Sequence, residues 1–100
     1  MNTADVDMRV SWAGRTLKNP VMLASGTCGY GPEYADLIDL NRLGAVVAKG
    51  ISRDPWSGNP PPRTAEVPGS LLNAIGLQNP GVEYFCRQYL PFLRELDTVV

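Results

Sequence analysis

Val21-Met22-Leu23-Ala24-Ser25-Gly26-Thr27-Cys28-Gly29-Tyr30-Gly31 and, further along, Ala45-Val46-Val47-Ala48-Lys49-Gly50 decide the fold. Each is an unbroken apolar run that passes directly into a polar or glycine-containing segment. A strand covered on one face alternates polar and apolar residues; a strand buried on both faces, as in parallel sheets, does not. The two runs therefore read as doubly buried strands, the first followed by a loop of small residues. Between them Pro32 suits a first helical turn, Tyr34, Leu37, Ile38 and Leu43 form an apolar stripe opposite Asp36, Asp39 and Arg42, and Gly44 stands where a helix C-cap is expected.

Outward from this core, Met8-Arg9-Val10-Ser11-Trp12 alternates, Ala13-Gly14-Arg15 supplies a turn and Thr16-Leu17-Lys18 returns, which predicts a β-hairpin over about 8–18. Arg53 to Ser70 reads as a long irregular stretch holding Gly58-Asn59-Pro60-Pro61-Pro62-Arg63. Val82, Phe85, Cys86, Tyr89, Leu90 and Leu93 then share one helical face, which Pro91 should kink or restart. Asp97-Thr98-Val99-Val100 begins a third strand. Helices alternating with doubly buried strands argue for α/β architecture with a parallel sheet, and an open Rossmann sheet and a closed barrel both begin this way. The dinucleotide pattern G-x-G-x-x-G is absent, because the first loop reads Gly26-x-x-Gly29-x-Gly31.

The 100 residues are 44% hydrophobic and 19% charged, with a net charge of −1, the composition of a soluble chain. A complete (β/α)₈ barrel needs roughly 250 residues, so the order hairpin, β, α, β, loop, α, β is expected to be the front of something larger. Nine Lys and Arg against ten Asp and Glu leave no basic stripe, and a nucleic-acid partner is not expected. With no histidine and no C-x-x-C, neither a Cys/His zinc site nor a His-based triad is expected, and no metal site is assigned. Cys28 and Cys86 are expected as small packed hydrophobes in a reducing compartment. The first seven residues lack a basic and an apolar region, and no run approaches the roughly 20 apolar residues of a membrane span. The expected location is the cytoplasm, without a membrane partner.

In parallel β/α architectures ligands gather at the carboxyl ends of the strands. Ser25-Gly26-Thr27, Lys49-Gly50 and the loop into Asn73-Ala74-Ile75-Gly76-Leu77 fall there. Glycine admits a flat ligand, Ser25 offers a hydroxyl, Lys49 a cation and Asn73 an amide with donor and acceptor. Together they suit a planar, anionic, hydrogen-bonding ligand. The plainer alternatives are turn chemistry at Ser25-Gly26, a solvated strand end at Lys49 and a loop cap at Asn73. Pro60-Pro61-Pro62 reads as a rigid loop in preference to a polyproline ligand. Trp12, Tyr30 and Trp56 read as core or loop anchors in preference to base-stacking platforms. Cys28 lacks a neighbour that would lower its pKa and is a poor nucleophile.

Leu17-Lys18-Asn19-Pro20 through Thr27, Leu43-Gly44 through Ser52, Gly58-Asn59-Pro60-Pro61-Pro62-Arg63 and Leu72-Asn73 through Gly81, in this order and spacing, resemble the amino-terminal third of class 1B dihydroorotate dehydrogenase, FMN-containing catalytic subunit. The resemblance implies that residues 1–100 are an amino-terminal fragment of one FMN-binding (β/α)₈ TIM barrel, a β-hairpin followed by two and a half β/α units. It implies oxidation of (S)-dihydroorotate to orotate in pyrimidine biosynthesis. Ser25, Gly26, Lys49 and Gly50 would contact FMN; Lys49, Asn73, Ala74, Ile75, Gly76 and Leu77 would contact dihydroorotate or orotate. The family's catalytic base, a lid cysteine, and its FMN phosphate loops are expected beyond Val100, so the isolated chain is expected to be inactive and to hold FMN weakly. The implied partners are a second catalytic subunit and an FAD and 2Fe-2S subunit that passes electrons to NAD, in a heterotetramer. Two alternatives remain open here: the FMN domain of a dihydropyrimidine dehydrogenase-like enzyme, and a small non-catalytic binding module using the proline loop.

Overall fold

The computed structural model describes residues 6–100, so the reading of the first five residues lies outside it. The chain divides into two compact units, Met1–Lys49 with Pro91–Val100, and Gly50–Leu90. Among the described residues no helix is long and apolar enough to cross a membrane.

The first unit opens with the expected hairpin, β1 (Val10–Trp12) and β2 (Arg15–Leu17), antiparallel with Val10 opposite Leu17 and Trp12 opposite Arg15. Its connection is Ala13-Gly14, both at positive φ (50° and 75°). Left-handed backbone at both central positions matches the twist of paired strands. Trp12 is exposed and anchors no core; Leu17, at the other end of the hairpin, is buried instead.

The parallel pairing expected of the two apolar runs is present. Met22–Leu23 (β3) pairs in parallel with Ala45–Val46 (β4), Met22 opposite Ala45 and Leu23 opposite Val46, and Val99 forms a further parallel bridge with Ala45. The third strand is thus reduced to one bridge, in which Val99 O accepts from Val46 N at 2.8 Å. Side chains hold that segment in place: Asn41 Oδ1 accepts from Asp97 N (2.7 Å), Thr98 Oγ1 donates to Leu43 O (2.7 Å), and Lys18 Nζ donates to Asn41 O and pairs with Asp97.

Double burial is realised at β4 but not at β3. Ala45 and Val46 are buried with Leu17, Cys28, Tyr30, Leu40 and Leu93, whereas Val21, Met22 and Val47 are exposed. β4 has a neighbour on each side and β3 only one, so the described residues do not cover the outer run. The loop expected after β3 begins as a helical turn, α1 (Ser25–Cys28), because Ala24 O collects Thr27 N, Cys28 N and Thr27 Oγ1 at 3.3, 3.1 and 3.4 Å.

The single helix expected from Pro32 to Leu43 is split into α2 (Pro32–Ala35) and a 3₁₀ turn, Leu40–Arg42. Asp39 causes the break: its backbone is extended and its carboxylate accepts from Asn41 N (3.1 Å), beginning a new turn in place of continuing the old one. Leu40 is buried in consequence, while Leu37 and Ile38 of the expected stripe are exposed. Gly44 is no left-handed cap. It donates to Val21 O (2.9 Å), and a Cβ there would run into the Asn19 carbonyl.

The second unit contains a hairpin inside the stretch read as irregular. Thr64–Val67 (β5) pairs with Ser70–Asn73 (β6) across Pro68-Gly69, where Gly69 has φ 71°. Proline followed by a positive-φ glycine is a type II turn signature. Val82–Tyr84 (α3) continues into a π turn, Phe85–Tyr89, and then Leu90–Arg94 (α4). Pro91 has no N–H to give and its ring crowds the carbonyl four residues back, so the wider π turn carries the helix past it without a stop. Along the expected apolar face only Leu93 is buried; Val82 and Cys86 are exposed.

Gly44 and Gly69 separate two reasons for glycine. Gly44→Ala must displace backbone, and we expect a loss of about 2 kcal/mol or more. Gly69→Ala meets open space and bears only left-handed strain, about 1 kcal/mol. Urea midpoints of the two variants should fall in that order; equal midpoints would refute the packing role of Gly44.

Candidate functional site at the strand ends

Because β3 and β4 run in parallel with Leu23 opposite Val46, the residues that follow each strand emerge at the same end of the pair. Lys49 N donates to Gly29 O (2.9 Å), which ties the segment after β4 to the turn after α1. Ser25 is half-buried and Gly26 exposed, with nothing within 4 Å of where a Cβ would stand. Lys49 is half-buried, and its ammonium makes no ion pair or hydrogen bond among the described residues. An open glycine, a hydroxyl and an uncompensated cation on one strand end form a donor set that fits a planar, electron-rich ligand.

Cys28 lies directly beneath this end and is buried, its Sγ 3.6 Å from Val47 O. Burial pushes its thiol up from the usual range, and the Glu33 carboxylate pushes it further. A thiol held neutral is a poor nucleophile and a poor base.

The second unit holds Gly50 and the remaining candidates. Asn73 ends β6 opposite Thr64 and is exposed, as are Ala74 and Leu77; Ile75 and Gly76 are half-buried. A Cβ on Gly50 would lie 3.3 Å from Leu77 Cδ1, so Gly50 and Leu77 are neighbours. Gly76 and Leu77 both have positive φ, 81° and 56°. Gly76 is needed on steric grounds as well, since a Cβ would stand 2.7 Å from Asn59 N.

Residues not singled out as site members shape this segment. Asn59 donates to Ala74 O from its side chain (2.8 Å) and to Ile75 O from its backbone (3.0 Å), and Ala74 N donates to Arg63 O (2.8 Å). The Arg63 guanidinium closes the loop by donating to Asn59 O (2.6 Å), Ser57 O (2.8 Å) and Gln78 Oε1 (2.7 Å). The proline loop is therefore clasped internally, which favours the rigid-loop reading. With the carbonyls of Ala74, Ile75 and Leu77 occupied, the N–H groups of Ile75, Gly76 and Leu77 donate to nothing among the described residues. Their position could be suspected from polar side chains set among Gly and Pro in Gly58-Asn59 and Gln78-Asn79-Pro80, although periodicity says nothing about such loops.

A family model described as dihydroorotate dehydrogenase matches residues 7–99. The chain belongs to the dihydroorotate dehydrogenase family. Curated members similar to it include the "Dihydroorotate dehydrogenase B (NAD(+)), catalytic subunit" of Alkaliphilus metalliredigens, 57% identical over 95% of this chain and 32% of that protein. Proteins of the same description from Alkaliphilus oremlandii and Thermoanaerobacter pseudethanolicus are 58% and 54% identical over 94% and 95% of this chain, and over 31% and 32% of their own lengths. The chain thus spans about a third of the dihydroorotate dehydrogenase relatives it matches.

The two cysteines should differ sharply in reactivity. In native protein at neutral pH, iodoacetamide should modify the exposed Cys86 and spare Cys28 until the chain is unfolded. The stabilisation from keeping Cys28 neutral is complete below the ordinary thiol pKa and is lost as pH rises through the raised value, so protection should fail first under alkaline conditions. Equal labelling of both thiols at neutral pH, read by peptide mass spectrometry, would contradict the buried assignment.

Proposed function

We propose that this chain supplies flavin and substrate contacts to an enzyme that oxidises (S)-dihydroorotate to orotate, the activity in the names of its relatives. In this reading the parallel strands belong to a (β/α)₈ barrel, FMN is the cofactor, and the enzyme acts in the cytoplasm in pyrimidine biosynthesis. Two catalytic subunits work with an FAD and 2Fe-2S partner that delivers electrons to NAD. The observation that carries the proposal is Lys49: a half-buried ammonium without a partner among the described residues, three residues beyond β4 and joined through its backbone to the segment that follows Ser25-Gly26.

FMN, when bound, supplies a two-electron acceptor for the hydride leaving C6 of dihydroorotate, while the C5 proton goes to a base. Ser25 and Gly26 offer a hydrogen-bonding, unobstructed strand end, and Gly50 a backbone without a side chain. Lys49 would offset negative charge on a bound flavin and would attract the anionic substrate. Asn73 presents donor and acceptor to the amide edge of a pyrimidine. The free N–H groups of Ile75, Gly76 and Leu77 suit acceptor atoms of the same ligand, with Ala74 linking them to Asn73. Cys28 is unsuited to take the C5 proton, and we place the base on a cysteine outside residues 1–100.

The test is anaerobic mixing of dihydroorotate with the flavin-loaded full-length enzyme that contains residues 1–100, because the isolated chain is expected to be inactive. Loss of oxidised-flavin absorbance with formation of one orotate per flavin is expected, and Lys49→Ala should lower kcat/KM by about 10²- to 10³-fold. Flavin left fully oxidised by saturating dihydroorotate in the unaltered protein would overturn the proposal.

A further inference from the structure

Asn79 is the one buried polar side chain among the described residues, and it is hydrogen-bonded to the proposed substrate segment. Its Nδ2 donates to Leu77 O (2.8 Å) and to Ser52 Oγ (2.9 Å); its Oδ1 accepts from Ser52 N (3.1 Å) and Gly81 N (3.0 Å). Ser52 Oγ, receiving one proton from Asn79, has its own to give to Asp54 O at 2.7 Å. The carboxamide is therefore saturated, with two donors and two acceptor positions all used. The backbone of Asn79 is fixed as well, exchanging N–H and C=O with Trp56 at 2.9 and 3.0 Å.

Leu77 holds φ 56°, a conformation that costs a residue with a Cβ and is kept only where surroundings enforce it. Its carbonyl is gripped by Asn79 two residues on. That grip fixes the Leu77-Gln78 peptide, and with Leu77 held at φ 56° the Gly76-Leu77 peptide across its Cα, and the Leu77 N–H within it, takes a set direction from that fixed plane.

We infer that Asn79 is a positioning residue for substrate: by holding Leu77 in left-handed backbone it aims the Leu77 N–H, which donates to nothing among the described residues, at the ligand. The inference rests on the preceding reading that this segment binds dihydroorotate and orotate. Asn79→Asp keeps the size of the side chain but sets a carboxylate oxygen against Leu77 O and Ser52 Oγ. Leu77→Gly removes the Cβ penalty, so a glycine there needs no grip to adopt the same backbone.

Orotate affinity, titrated through the flavin spectrum of the flavin-loaded full-length enzyme that contains residues 1–100, reads the effect. Asn79→Asp should weaken orotate about tenfold and raise KM for dihydroorotate more than it lowers kcat. In the Leu77→Gly background the same change should cost less than about threefold, a coupling that a general structural role would not produce. Unaltered protein that binds orotate, with N79D binding within twofold of it, would overturn the inference and leave the substrate reading standing. An equal loss in both backgrounds would also overturn it. Failure of the unaltered protein to bind orotate would remove the substrate reading and this inference together. Should N79D not fold, NMR of unaltered protein decides: Asn79 carboxamide protons protected from solvent exchange support the grip, and exchange at the rate of a free amide refutes it.

Discussion

The Asn79 carboxamide joins Ser52, Leu77 and Gly81 through four hydrogen bonds while its backbone pairs with Trp56, and the unit Gly50–Leu90 is organised around that one group. No hydrophobic side chain of this unit is buried among the described residues; Leu71, Leu72 and Leu77 are all exposed. Shape comes instead from directional contacts: the Asn79 cluster on one side of Leu77 and the Arg63 and Asn59 clasp on the other. A buried amide left with an unmet donor or acceptor costs about 1–3 kcal/mol, so the cluster tolerates few alternative arrangements of the chain. The result is a loop whose carbonyls are committed internally and whose N–H groups remain available.

The other unit is built by the opposite means. Leu17, Cys28, Tyr30, Leu40, Ala45, Val46 and Leu93 form a small apolar core, and the parallel strands that cross it deliver Ser25, Gly26 and Lys49 by direction alone. An apolar core is non-directional and tolerant of detail, whereas a strand end is fixed by register. The groups proposed to meet the ligand accordingly follow from where the strands stop. In the second unit they follow from which backbone groups the side chains have already claimed.

This difference explains what was legible in the sequence. The parallel pairing, the first hairpin and the positions of Lys49 and Ser25 could be read, because unbroken apolar runs and period-two alternation report burial. The break at Asp39 could not, because the apolar stripe around it continues as if the helix did; only the competition of an aspartate side chain for the next N–H ends it. The hairpin across Pro68-Gly69 was missed because its strands expose both faces and so carry no alternation. Asn59, Arg63 and Asn79 were invisible for a related reason: hydrogen bonds between loops leave no periodic trace, and the resemblance to the family located the loop without showing what holds it.

A polar cluster, and not an apolar core, fixes the segment Asn73 to Leu77. Residue-resolved amide hydrogen exchange tests it most directly. The amides of Asn59, Trp56, Ala74, Asn79 and Gly81, each donating within this network, should be protected and should open together as one group. Exchange of these amides at unfolded-chain rates, while the amides of Val46 and Val47 remain protected, would contradict the account.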